Sequence, residues 1–168
     1  MYKLSLLFAA AALAVLPLRA QDVCKDAVVK RLKVSRDFSL KVADAMPAAD
    51  YNFKLTAAQM SFGEQMAHMT QGLAYFLSAF KGEKPNPSKP ASMSKADIIA
   101  FMHSGFDSAI SYVESLTPEQ ISKEYKGMGS TATGVDMLMA MLEHTAHHRA
   151  SAEMYLRAKG ITPPQYME

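Results

Sequence analysis

The chain of 168 residues holds one cysteine, Cys24, and so can form no internal disulfide. Cys24 shares a helical stripe with Val28, Leu32 and Val42, which predicts a buried thiol. An excess of one charge is also lacking: 18 Lys and Arg stand against 16 Asp and Glu. With no basic stripe among them, nucleic acid is excluded as the expected partner. No stretch keeps the alternation of a half-buried strand, which argues against a β architecture. No apolar run reaches the roughly 20 residues that a membrane-spanning helix needs. There is also no Ser-His-Asp or Cys-His set suited to nucleophilic catalysis, because Cys24 lies at the far N-terminal end of a core stripe.

The N-terminus has a recognisable layout. Lys3 supplies a positive charge, an apolar run covers Leu4 to Leu16, Pro17 breaks it, and Ala20 offers a small residue for cleavage. This pattern predicts a secretory signal peptide over residues 1–20 and an exported domain over residues 21–168, with no membrane attachment once the leader is removed. The leader carries Lys3 and Arg19 and no acidic residue. Its removal would leave 16 basic and 16 acidic side chains, so the pI near 8.6 is partly a property of the leader.

Four stretches carry helical periodicity. The first runs from about Asp22 to Ala45 and stops before Met46-Pro47. A polar, extended connection follows over residues 48–59. Ser61-Phe-Gly-Glu64 is a capping-box signature and opens a second helix that reaches about Phe80. Three prolines and a glycine between Lys81 and Pro90 predict a loop. Ser94 opens a third helix, to about Leu116, and Thr117-Pro118 predicts a short extra one. Gly127 to Ser130 reads as a loop. Thr133 opens the longest helix, which closes at Lys159-Gly160 ahead of Pro163-Pro164. The expectation is an all-α four-helix bundle.

Three of the five histidines fall in His144-Thr-Ala-His147-His148 on that last helix. Residues four apart share a helix face, so His144 and His148 can present two imidazoles to one metal ion. At 100° per residue, Leu138, Met141, Leu142, Ala152 and Leu156 form the core arc. His144 and His148 lie at its edge, and His147 falls on the polar side with Asp136 and Glu143. Arg149 falls within the apolar arc, where a guanidinium needs a partner. Glu153, four residues on, could supply one; a structural clamp is the expected role, and anion recognition is the alternative. On the second helix, His68 borders the stripe Phe62, Met66, Met69, Leu73 and Phe80. Gly72, one turn on, would leave room beside an imidazole. The wheel permits His68 to face the other two without requiring it. His103 has no partner at useful spacing. The 13 methionines mostly occupy core positions, which favours packing over thioether copper ligation.

With those motifs in view, the chain resembles the DinB-like superfamily of metal-binding four-helix bundles. The resemblance is carried by Ser61-Phe-Gly-Glu-Gln-Met-Ala-His68, by His144-Thr-Ala-His-His-Arg149 and by the tail Tyr155-Leu-Arg-Ala-Lys-Gly-Ile-Thr-Pro-Pro164. It implies an up-up-down-down helix order and a divalent metal, zinc or nickel, held by His68, His144 and His148. Dimers are common in that family, so it also makes a homodimer a partner to test. Three neutral imidazoles with an open position suit a catalytic metal, which can lower the pKa of bound water to about 7. The resemblance therefore implies a hydrolase or transferase acting on a small molecule that the sequence does not name. A non-catalytic metal- or small-molecule-binding bundle would use the same residues.

Overall fold

The computed structural model describes the backbone of residues 2–127 and 130–167, and the side chains of residues 23–126 and 131–167. Helix α1 spans Tyr2–Ala45, and a 3-10 turn follows at Ala48–Asp50. Helices α2 (Phe62–Lys81) and α3 (Lys95–Ser115) come next, then the short α4 (Pro118–Ser122). A hairpin of β1 (Glu124–Gly127) and β2 (Ser130–Thr133) leads into α5 (Gly134–Ala158). The side chains of the expected leader, residues 1–20, lie outside the described residues. Among the described residues, no helix is long and apolar enough to cross a membrane.

The long helices start where their side chains predict. Ser61 accepts from the Glu64 amide while Glu64 accepts from the Ser61 amide at 2.6 Å, closing the expected capping box. Thr133 and Asp136 do the same for α5, and Thr117 with Gln120 for α4. Each box satisfies amides that the first helical turn leaves without intrahelical partners. Gly82, at φ 66°, closes α2 in the left-handed region that glycine tolerates best.

The core forms where the apolar stripes meet. Val28, Leu32 and Val42 of α1 are buried with Phe62, Met66, Met69 and Leu73 of α2. Met102 and Phe106 of α3 join them, as do Leu138, Met141 and Leu156 of α5. Leu142 is only half-buried, and the buried arc of α5 extends instead to Met137, Tyr155 and His148. Cys24 sits half-buried at the edge of the α1 stripe rather than inside it.

Helix directions differ from the order the resemblance implied. Asp44 near the end of α1 pairs with Lys95 at the start of α3 (3.2 Å), and Lys33 pairs with Glu114 (2.8 Å), so α1 and α3 are antiparallel. Gly63 lies against Ile98 and Gly105 against Thr70, so α2 and α3 are parallel. Gln65 meets His148, and the Tyr155 hydroxyl donates to the Met60 carbonyl just ahead of α2, so α2 and α5 are antiparallel. The order is up-down-down-up, and the up-up-down-down expectation is corrected. Loop lengths give the reason. The α1–α2 connection stays at one end of the bundle, where Gly63 N–H donates to Tyr51 O (2.8 Å) and Lys159 pairs with Asp50 (2.8 Å). The segment 82–94 instead runs back along α2, with Gln71 donating to Ser88 O (3.1 Å). Fully extended it could reach about 43 Å, against about 30 Å for α2.

Two local expectations also change. The connection over residues 48–59 is not simply extended, because it buries Tyr51, whose hydroxyl donates to Ala43 O (2.8 Å). The expected loop at residues 127–130 belongs to a hairpin with Glu124 opposite Thr133 and Gly127 opposite Ser130. Strands this short cannot show a period-2 pattern, so the pairing was not visible in the alternation. Tyr125 holds the hairpin to the bundle, with its ring 4.8 Å from that of Phe80 and its hydroxyl donating to Gln120 O. Gly134 is needed where α5 begins, since a Cβ there would lie 2.6 Å from the carbonyl oxygens of Gln120 and Ile121.

Candidate metal centre

Antiparallel packing of α2 on α5 brings one histidine of the first helix opposite two of the second. His68, His144 and His148 each offer a ring nitrogen, and these nitrogens all lie within 4.8 Å of one another. The ring centroids are 5.4 Å apart for His68 and His144, 4.6 Å for His68 and His148, and 4.3 Å for His144 and His148. The side chains are graded from outside to inside: His68 is exposed, His144 half-buried and His148 buried. The i, i+4 spacing places the last two one above the other, as the sequence implied.

Gly72 makes the close approach possible. The His144 ring occupies the space where a side chain at 72 would stand, and a Cβ there would lie 2.5 Å from Nδ1 and 3.0 Å from Nε2. The room expected beside an imidazole is thus filled by an imidazole from the neighbouring helix. Phe76, one turn further along α2, closes the far side with its ring 5.6 Å from that of His144.

The residues present fit a divalent ion. His144 Nδ1 is buried and makes no hydrogen bond, a polar atom that a cation would satisfy. Neutral imidazole is a preferred zinc ligand at about 2.0–2.1 Å, and two of these rings are held toward the neutral form. Burial, reinforced by His144, His68 and His147, pushes His148 down to about 4. Burial, then His68 and His147, also lowers His144 from its ordinary range. His147 is exposed and, among the described residues, belongs to no ligand group, although its ring stands 5.0 Å from that of His148.

These shifts fix a pH dependence with a definite sign. An unfolded chain takes up a proton at His148 near pH 6.5, while the folded protein resists it until about 4. Stability is therefore full above about pH 6.5 and falls as the pH drops toward 4. Roughly 2 kcal/mol from His148 is expected to go between pH 6.5 and 5 in metal-free protein. A melting-temperature scan over that range checks this, and a flat profile would contradict it. Three normally titrating histidines would lower metal affinity about a thousandfold per pH unit below pH 6. With His148 held neutral there and His144 also lowered, the loss between pH 6 and 5 should fall well short of that.

Sequence reasoning missed Gln65. Its side chain is buried, and its Nε2 stands 2.9 Å from His148 Nδ1. A polar amide inside the apolar surroundings of Phe62, Met66 and Met69, three residues before His68, was the available signal. Arg149 is the structural clamp its place in the apolar arc implies, with a different partner from Glu153. Its Nη1 donates to Ser35 Oγ (2.7 Å) and its guanidinium stacks 4.7 Å over Phe38, so it braces α5 against α1, away from the histidines. Glu153 bonds instead to Arg157 at 3.5 Å and acts on Arg149 through space alone. His103 is exposed on α3, as its lack of a spaced partner implied.

Two clefts flank the centre. One of about 440 Å³ runs past His68 between Ala67, Lys89 and Met93. The other, about 400 Å³, reaches His148 past Leu55, Met154 and Tyr155. Met60 borders both.

The same arrangement can be set beside known proteins. A crystal structure of a DinB-like protein from Bacillus subtilis superposes with a TM-score of 0.73 at 23% identity, covering 84% of this chain and 98% of its own. A DinB-like protein from Bacillus cereus gives 0.71 at 16% identity, covering 84% and 97%. At these identities the likeness shows a common fold. No curated protein matches the chain. The family model described as DinB family matches residues 23–167, nearly all of the helical domain, and the chain belongs to that family.

Proposed function

We propose that the protein is an exported, divalent-metal-binding member of its family, with zinc or nickel held by His68, His144 and His148. The observation that carries this reading is the convergence of three imidazoles graded from buried to exposed. His148 and His144 anchor the site from within, and His68 closes it beside a cleft that a small molecule can enter. Three uncharged ligands leave a bound divalent ion its full charge, so it would supply Lewis acidity to a molecule in that cleft. A metal-dependent hydrolase or transferase follows from such a site. Lys89 is placed to attract an anionic group, and Tyr155 and Met154 form an apolar wall on the other side.

One observation favours a non-catalytic binding bundle as the second reading. Glu64, the carboxylate on the cleft beside His68, is committed to the capping box and to Lys54 at 3.7 Å. It is thus a poor general base. Zinc- and nickel-loaded protein assayed against activated esters and thiol-accepting electrophiles separates the two. Turnover that disappears in His68→Ala supports the enzyme, whereas tight metal binding without turnover supports the binding bundle.

Export rests on Lys3, the Leu4–Leu16 run and Ala20. Intact-mass measurement on periplasmic or secreted protein should find a chain starting near Gln21. A full-length chain recovered with membranes would contradict export.

A further inference from the structure

The hydrogen bond between Gln65 and His148 has a consequence for metal loading. A neutral imidazole carries one proton, and a ligating nitrogen must be the one without it. Nδ1 of His148 faces the Gln65 amide, so Nε2 is the atom left for a metal. Gln65 presents its amide Nε2 to that ring at 2.9 Å. An N–H donor there requires Nδ1 to accept, which places the ring proton on Nε2 and closes that atom to a cation. Reversing the amide presents Oε1 instead. Oε1 then accepts from Nδ1–H, and the lone pair on Nε2 is released. Such a half-turn breaks no other side-chain hydrogen bond, since the ring is the amide's only one among the described residues. The backbone of Gln65 stays fixed in the first turn of α2 through its bond to Ser61 O (2.9 Å).

We infer that Gln65 is a positioning residue that selects the tautomer of His148: an amide nitrogen facing the ring keeps its proton on Nε2, and an amide oxygen facing it frees Nε2 for a metal. A neutral amide can take either role, whereas a carboxylate could only accept and a methionine sulfur accepts only weakly and never donates. Outer-shell partners of this kind typically change metal affinity 10–100-fold. The inference rests on the three-histidine reading, and the contact between Gln65 and His148 is the geometry that brings Gln65 into it.

Two measurements on the full domain test it. Side-chain ¹⁵N NMR of metal-free protein at neutral pH should show His148 protonated at Nε2, and addition of zinc should move the proton to Nδ1. In Gln65→Glu, Nδ1 should already carry a proton without zinc. Zinc titration should show affinity lower by roughly 10–100-fold in Gln65→Met and restored in Gln65→Glu. Metal-free wild type protonated at Nδ1, no change of tautomer in Gln65→Glu, or wild-type zinc affinity in Gln65→Met would each overturn the inference. If wild type takes no zinc at all, the three-histidine reading fails. The metal-free spectra of wild type and Gln65→Glu then still decide what Gln65 does.

Discussion

Gly72→Ala is expected to abolish high-affinity metal binding although residue 72 offers no ligand atom. The added methyl would stand 2.5 Å from His144 Nδ1, and the ring must leave its place opposite His68. Losing the aligned position of one imidazole should lower zinc affinity on the order of 100-fold, the upper range for disturbed ligand orientation. Folding should suffer much less. Alanine gains up to about 1 kcal/mol over glycine inside a helix, which offsets part of an overpacking cost of about 1–3 kcal/mol. The signature is a protein that melts close to wild type without metal but gains little on adding zinc. A zinc-induced shift in melting temperature equal to wild type would show that the ring is not held as described.

The second large effect concerns the histidines themselves. His68→Ala, His144→Ala and His148→Ala should each remove most of the zinc-dependent stabilisation, because a ligand stabilises only as far as it occupies its site. His147→Ala should leave it nearly intact, since that side chain is exposed and outside the ligand group. The variants should also separate without metal. His148 is buried and His68 exposed, so His148→Ala opens a cavity where His68→Ala removes a surface ring. Thermal melting with and without zinc reads both effects, and equal losses across all four variants would contradict the assignment.

How far the sequence discloses this site depends on the range of each contact. His144 and His148 are related by one helical turn, so their common face follows from periodicity alone. His68 needed the family motif, because the wheel only permitted it to face them. Gly72 was read as space, and the structure supplies the ring that fills it. Gln65 escaped notice because its partner is 83 residues away, and the partner of the Arg149 clamp was hidden because Ser35 is 114 residues away. Contacts at that separation exist only once the helices have packed. The helix order is a different case. Residues 82–94 are long enough to travel the length of α2, and weighing that length could have favoured parallel α2 and α3 over the order borrowed from resemblance. The hairpin was hidden because four-residue strands leave almost no pattern to count.

The central claim is that His68, His144 and His148 hold one divalent ion, and anomalous X-ray diffraction tests it most directly. Crystals of protein carrying no histidine tag, measured at the zinc and nickel absorption edges, would locate the ion by element. The account predicts one strong peak between α2 and α5, about 2.0–2.1 Å from a nitrogen of each of the three rings. A peak elsewhere, or none after soaking in excess zinc at neutral pH, would contradict it.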